Sequence, residues 1–199
     1  MTKIYLIRHG LIVKDTGPGD PPLAPLGMVQ AKATAAYLQN RPIKKVYTSP
    51  LRRAKETAYY IAAGLGLEMS EDARLRERAN WGDLPGQSYE AFIAMWVQCD
   101  QDRSYVPPVG DSAQQAGARI ERFIEAIYQQ YPRDEIVAVS HGGVILDFLL
   151  NRFSPEQLAQ VNPDFPEQQG NLFLNCSVTV VSYEGESYNL EILAETGHL

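Results

Sequence analysis

The chain has 199 residues, is 45% hydrophobic and 21% charged, and carries a formal charge of -6. That is the make-up of a soluble globular protein long enough for one domain, taken as residues 1–199. The acidic balance argues against a nucleic-acid partner and against an anionic membrane surface, while leaving room for a small anion held by a local arginine cluster.

Met1-Thr2-Lys3 leads straight into a strand pattern without the apolar core of a signal peptide, and no apolar run reaches the roughly 18 residues of a membrane span. A cytoplasmic protein is expected. Cys99 and Cys176 have no metal-ligand spacing and no disulfide framework, and are read as buried free thiols.

In chain order, Ile4 to Ile7 is a short apolar run suited to a strand covered on both faces. A helix pattern follows Gly27, with Val29, Ala33, Ala36 and Tyr37 on one stripe. Lys45 to Thr48 reads as a second strand. Ser49-Pro50 then predicts a helix start, with Ser49 as N-cap and Pro50 at the first helical position. Ala54, Ala58, Ile61, Ala62 and Leu65 share one face of that helix.

Between about residues 80 and 108 the pattern weakens to a turn-rich start and a short amphipathic piece with Phe92, Met95 and Trp96. This stretch is read as an insertion or lid. Ile120, Phe123, Ile124, Ile127 and Tyr131 mark a long helix stopped by Pro132. Glu135 to Ser140 is a third strand, and "VILDFLL" opens the next helix. Ser154 and Gln157 have capping-box spacing. Two strands, Ser177 to Ser182 and Tyr188 to Leu193, close the chain around a Glu184-Gly185-Glu186 turn. Alternating strands and helices imply an α/β fold: a mostly parallel central sheet with helices on both faces, a three-layer α/β/α sandwich.

Two strands end alike, in Arg8-His9-Gly10 and in Ser140-His141-Gly142-Gly143. In open α/β sheets, ligands bind beyond the carboxyl ends of strands. The second strand sends Arg52 and Arg53 to the same edge. Paired histidines and arginines suit phosphoryl transfer. Arginine offers a permanently charged fork to phosphate oxygens, and neutral imidazole is a competent nucleophile near neutral pH. Gly10 and Gly142 are read as clearing space for a ligand. A leaving alkoxide also needs a proton from a nearby acid.

Arg8-His9-Gly10 resembles the signature of the histidine phosphatase superfamily, which includes cofactor-dependent phosphoglycerate mutases. Further segments are similar in family order along nearly the whole chain. They are Leu23, Gly27, Gln30 and Ala31; Ser49 with Arg53, Ala54, Thr57 and Ala58; Leu75-Arg76-Glu77; Gly110-Asp111-Ser112; "SHGGVI" from Ser140; and "NCSVTVV" from Asn175.

The resemblance implies a phosphoglycerate mutase-like fold with His9 as the nucleophile that becomes phosphohistidine. It implies Arg8, Arg53 and His141 as phosphoryl-binding groups and Glu77 as general acid and base. Gly10, Gly142 and Thr16 are assigned to substrate binding, Thr16 standing where many relatives carry an asparagine. Arg52, pointing away on a helix, is read as a surface charge or a contact to a distal substrate group, and His198 as a bystander.

The chain departs from the usual pattern at Leu11-Ile12, where relatives are polar, and at Asp111, where they carry glutamate. The implied activity is a phosphoric monoester hydrolase of the histidine acid type acting on a small phosphorylated metabolite. Neither metal nor cofactor is expected. A phosphoglycerate mutase-type transfer is the alternative, and a phospho-ligand-binding protein the third reading. Monomer and homodimer both remain open.

Overall fold

The computed structural model describes residues 1–14 and 16–199, with residues 169 and 170 described by backbone alone. Its centre is a six-stranded sheet in the order β3-β2-β4-β1-β5-β6. The strands are β1 (Thr2–Arg8), β2 (Ile43–Thr48), β3 (Met69–Glu71), β4 (Glu135–Ser140), β5 (Val178–Glu184) and β6 (Ser187–Glu195). β1, β2, β3 and β4 pair in parallel, whereas β5 and β6 are antiparallel additions.

Alternation along the strands divides the core in two. Ile4, Leu6, Ile136 and Ala138 face one side with Phe123, Ile124, Phe148 and Leu149. Those four come from α4 (Ala113–Gln130) and α5 (Gly142–Arg152). Tyr5, Ile7, Val137 and Val139 face the other side with Leu38, Ala54, Ala58 and Ile61. These belong to α1 (Pro25–Leu38) and α2 (Arg52–Leu65). The expected three-layer arrangement is the one observed.

The lid stretch contains α3 (Tyr89–Gln101), and two further helices, α6 (Pro155–Val161) and α7 (Phe165–Leu172), precede β5. The capping box at Ser154 forms with Gln157, and Ser112 and Gln115 form a second one at α4.

Two local expectations are corrected, and two short elements, β3 and α7, were not expected. Gly27 lies inside α1 rather than ahead of it. Helix α2 begins at Arg52 with Leu51 as its N-cap residue, so Ser49 does not cap it. Ser49 instead sits at the end of β2 and turns its hydroxyl toward His141.

Gly10 is also explained differently. A Cβ there would lie 2.7 Å from the Gly27 carbonyl oxygen, so the glycine lets α1 approach the strand end. The residue whose missing side chain opens the site is Gly143, where a Cβ would meet Trp96 at 2.6 Å and Glu77 Oε1 at 2.8 Å. Gly142 has more room: its nearest neighbour would be Arg8 Cδ at 3.3 Å.

Candidate active site

The site follows from the sheet register. β1 and β4 are parallel neighbours with Arg8 opposite Ser140, so both chains leave the sheet at the same level. The His9 N–H donates to the Ser140 carbonyl at 3.0 Å, and the Ser49 N–H at the end of β2 donates to the Val139 carbonyl at 2.9 Å. Three strand ends therefore deliver His9, His141 and Ser49 side by side. The two imidazoles meet edge to face with ring centroids 5.2 Å apart.

His9 is oriented at both ring nitrogens. Nδ1 lies 2.8 Å from the Gly10 carbonyl oxygen. A carbonyl only accepts, so Nδ1 bears the proton in this contact. Arg53 Nε–H then donates to Nε2 at 3.2 Å, which makes Nε2 the nitrogen with the lone pair. Burial, followed by the charges of Arg53 and Arg8, holds the His9 pKa well below the ordinary imidazole value. His141 is lowered for the same leading reasons, burial and then Arg53. Both rings are therefore neutral at physiological pH.

Arg53 projects from the first turn of α2 and is 7% exposed. Its outer nitrogen donates to Asp20 Oδ1 at 3.3 Å and to Asn80 Oδ1 at 3.1 Å. Arg52, one residue earlier, points outward and pairs with Glu56 at 2.7 Å, as expected of a surface charge. Arg8 donates to the Phe173 carbonyl. Burial works against the charge on Arg8 and Arg53, and the Glu77 carboxylate supports it in both. His141 Nε2 contacts Ser49 Oγ at 2.8 Å. Arg8 Nε and His141 Nδ1 are buried without a protein partner among the described residues. Unpaired buried polar atoms are costly, and those on Arg8 and His141 belong to the strand ends where a polar ligand could meet them.

Glu77 is 8% exposed rather than a surface partner of its neighbouring arginines. Oε1 accepts from the Val144 N–H at 2.8 Å and the Arg78 N–H at 2.9 Å, and Oε2 accepts from the Gly143 N–H at 3.1 Å. The carboxylate thus sits on the first turn of α5, where unpaired N–H groups and the helix dipole favour negative charge. Arg119 on α4 holds the Glu77 loop from below, donating to the carbonyls of Arg74, Arg76 and Glu77 at 2.8, 2.8 and 3.2 Å. Asp111 fixes Arg119 in turn at 2.9 Å. The Gly110-Asp111-Ser112 segment therefore buttresses Glu77, and its shorter carboxylate suffices for that contact.

Next to Glu77, Arg78 is 2% exposed and forks onto Asp147 of α5 at 2.7 and 3.0 Å. It also reaches Asp100 of the lid at 2.8 Å and lies under the Trp96 ring at 4.5 Å. Burial opposes the Arg78 charge, but Asp147 and Asp100 outweigh it and raise its pKa.

Thr16 is exposed and lines only the outer part of the cleft. Several contributors were not anticipated from sequence. Thr57 accepts the Gly10 N–H at 3.0 Å and Gln30 accepts the Leu11 N–H at 3.0 Å. Asn175 donates to the His9 carbonyl at 3.1 Å. All three lie in the segments that carry the family resemblance, which was the available signal. Asn80 and Asp20 come from loops with no such signal. His198 lies apart from the site, against Tyr37 and Thr34 of α1.

The groups open into a cleft of about 930 Å³ that also contains Lys14, Ile12, Val13 and the lid side chains Trp81, Phe92, Ile93 and Trp96. A smaller cavity of about 220 Å³ reaches Arg8, His9 and Glu77 between α3 and α5.

A strand-end pair of neutral histidines flanked by arginines and a carboxylate has the donors and charges suited to phosphoryl chemistry. The histidine phosphatase superfamily (branch 1) model matches residues 4–196. The chain belongs to that superfamily, whose members include phosphatases and phosphoglycerate mutase-like proteins. Phosphoglycerate mutase-like protein 4 of Arabidopsis thaliana is 30% identical, over 99% of this chain and 86% of its own. The mycobacterial glucosyl-3-phosphoglycerate phosphatase in complex with VO3 superposes with a TM-score of 0.75 at 25% identity, covering 98% of this chain and 99% of the other. A phosphoserine phosphatase mutant of Entamoeba histolytica in complex with phosphoserine superposes at 0.69, 25% identical, with 100% of both chains covered.

Proposed function

We propose that the protein is a phosphatase that hydrolyses a small phosphate monoester through a phosphohistidine on His9. The observation that carries this reading is the state of His9: neutral, its Nδ1 proton given to Gly10, and its Nε2 lone pair directed to the Arg53 side. Incoming phosphate takes over the Arg53 and Arg8 donors and frees Nε2. Nε2 attacks phosphorus in line, the P–O bond to the alcohol breaks, and the departing oxygen takes a proton that the phosphate monoanion brings in and the Glu77 carboxylate relays. Water then attacks the phosphohistidine. The Glu77 carboxylate takes the water proton, the N–P bond breaks, and phosphate leaves with His9 neutral again.

His141 binds the equatorial oxygens beside the arginines. In the tautomer in which the Ser49 hydroxyl donates to Nε2, neutral His141 offers the proton on its otherwise unpartnered Nδ1 to the phosphate. Fixed donors aimed at a transferring phosphoryl group supply most of the rate in this class of reaction. Gly10 shapes the turn after the nucleophile, Gly142 leaves space beside Arg8, and Thr16 contributes at the outer rim. The test is phosphate release across a set of small phosphate monoesters with His9→Ala as the blank. Turnover by the native chain and none by the variant supports the reading; equal turnover by both contradicts it.

A further inference from the structure

The cleft beyond the phosphate position is unusually poor in charge. Ile12 and Val13 form one wall, and Trp81, Phe92, Ile93 and Trp96 form the lid side. The Trp81 indole N–H is spent on the Gln87 carbonyl at 3.1 Å, and the Phe92 and Trp96 rings lie 5.9 Å apart. Apart from Thr16, Asn80 and Tyr89, which share the lining, these side chains present mainly hydrocarbon to whatever enters.

The nearby cations are already committed. Arg52 pairs with Glu56, Arg78 with Asp147 and Asp100, and Arg119 with Asp111. Arg103 donates to the Asp147 carbonyl and to Asn151. Arg53 shares its charge with Asp20. Among the described residues, Lys14 is the one cation lining the cleft apart from Arg8 and Arg53. It stands exposed at the rim, where an ion pair is weak. A second anionic group on the substrate would leave water for a hydrocarbon wall without a partner, which is unfavourable.

We propose that this cleft selects monoesters whose alcohol is apolar and uncharged, an alkyl or aromatic group, over carboxylated esters such as phosphoserine and 3-phosphoglycerate. The proposal deepens the phosphatase reading and rests on it for the placement of the phosphate.

Binding and turnover separate the two ideas. Calorimetry on the native chain compares 3-phenylpropylphosphonate with 3-phosphonopropionate, neither of which can be hydrolysed as an ester. Phosphate release compares 3-phenylpropyl phosphate with phosphoserine and 3-phosphoglycerate, all esters of alkyl alcohols. The phenyl ligand is expected to bind tighter by roughly ten- to a hundredfold, the return on burying one aromatic group, and kcat/KM is expected to follow. Ile93→Arg, at an exposed helix position, should narrow that ratio by placing a cation in the wall. Equal or tighter binding of the carboxylated phosphonate overturns the proposal even if the enzyme is an active phosphatase. Tighter binding of the phenyl ligand with no ester hydrolysed supports the cleft's preference while contradicting the phosphatase reading.

Discussion

Arg53 donates through Nε to His9 Nε2 at 3.2 Å, so one guanidinium aims the imidazole and adds to the burial that keeps it unprotonated. Its outer nitrogen is steadied by Asp20 and Asn80. Lysine could retain the charge but not the fork, because its ammonium cannot meet His9 and phosphate in one plane. Arg53→Lys is expected to lower kcat/KM by about 10²- to 10³-fold, the usual loss for one transition-state donor, with folding retained. Steady-state kinetics beside a circular dichroism melt checks both parts.

Glu77 should matter in proportion to how badly the alcohol needs a proton. Glu77→Gln keeps the shape and removes the transferable proton. Alkyl phosphates are expected to lose about 10²- to 10⁴-fold in kcat, and p-nitrophenyl phosphate much less, since its phenolate leaves unaided. Equal losses on both would assign Glu77 a structural role at the α5 terminus.

The two buried imidazoles make stability depend on acid. In the unfolded chain they protonate near pH ~6.5; in the folded chain burial and the arginines push both pKa values down. Below that pH the unfolded state binds more protons, so stability falls as pH drops. Urea midpoints at about pH 7.5 and 5.5 should show this loss, and His9→Asn combined with His141→Asn should reduce it. An unchanged acid slope in the double variant would trace the loss to other groups.

The expected α/β layers were legible because β1 and β4 carry continuous apolar runs and α2 and α4 carry clean stripes. His9, Arg8 and His141 were legible because strand ends place them, while Arg53 and Glu77 were picked out by the resemblance; the structure lines one cleft with Arg8, His9, Arg53 and Glu77, with buried His141 packed against His9. What escaped depended on tertiary contacts. Ser49 has the sequence look of a helix cap, yet its hydroxyl serves His141. Gly10 looks like a ligand clearance and is a helix-packing contact. The Arg119 grip on the Glu77 loop joins residues 42 to 45 positions apart, beyond any local pattern.

Gly143 and Gly142 should part company under the same substitution. Gly143→Ala drives a Cβ toward Trp96 and Glu77, whereas Gly142→Ala meets its nearest neighbour at 3.3 Å. The first is expected to reduce kcat by at least about tenfold through a displaced acid, and the second to change it far less. Parallel kinetics on the two variants decides it.

The Arg78–Asp147 pair ties the Glu77 loop to α5 with both residues buried. Removing Asp147 leaves buried Arg78 with only the half-exposed Asp100 as a carboxylate partner, so Asp147→Ala should cost up to about 3–5 kcal/mol in chemical denaturation. Replacing both, as Arg78→Met with Asp147→Leu, should recover much of that loss. A double variant no more stable than the single one would contradict this account of the pair.

The central claim is that His9 carries the phosphoryl group. Rapid acid-free quenching of the native chain with a turning-over monoester, followed by intact and peptide mass spectrometry, tests it directly. The account predicts one added phosphoryl group on the peptide containing His9, stable to base, lost in acid, and missing from His9→Ala. Turnover with no such adduct, or an adduct that persists in His9→Ala, would contradict it.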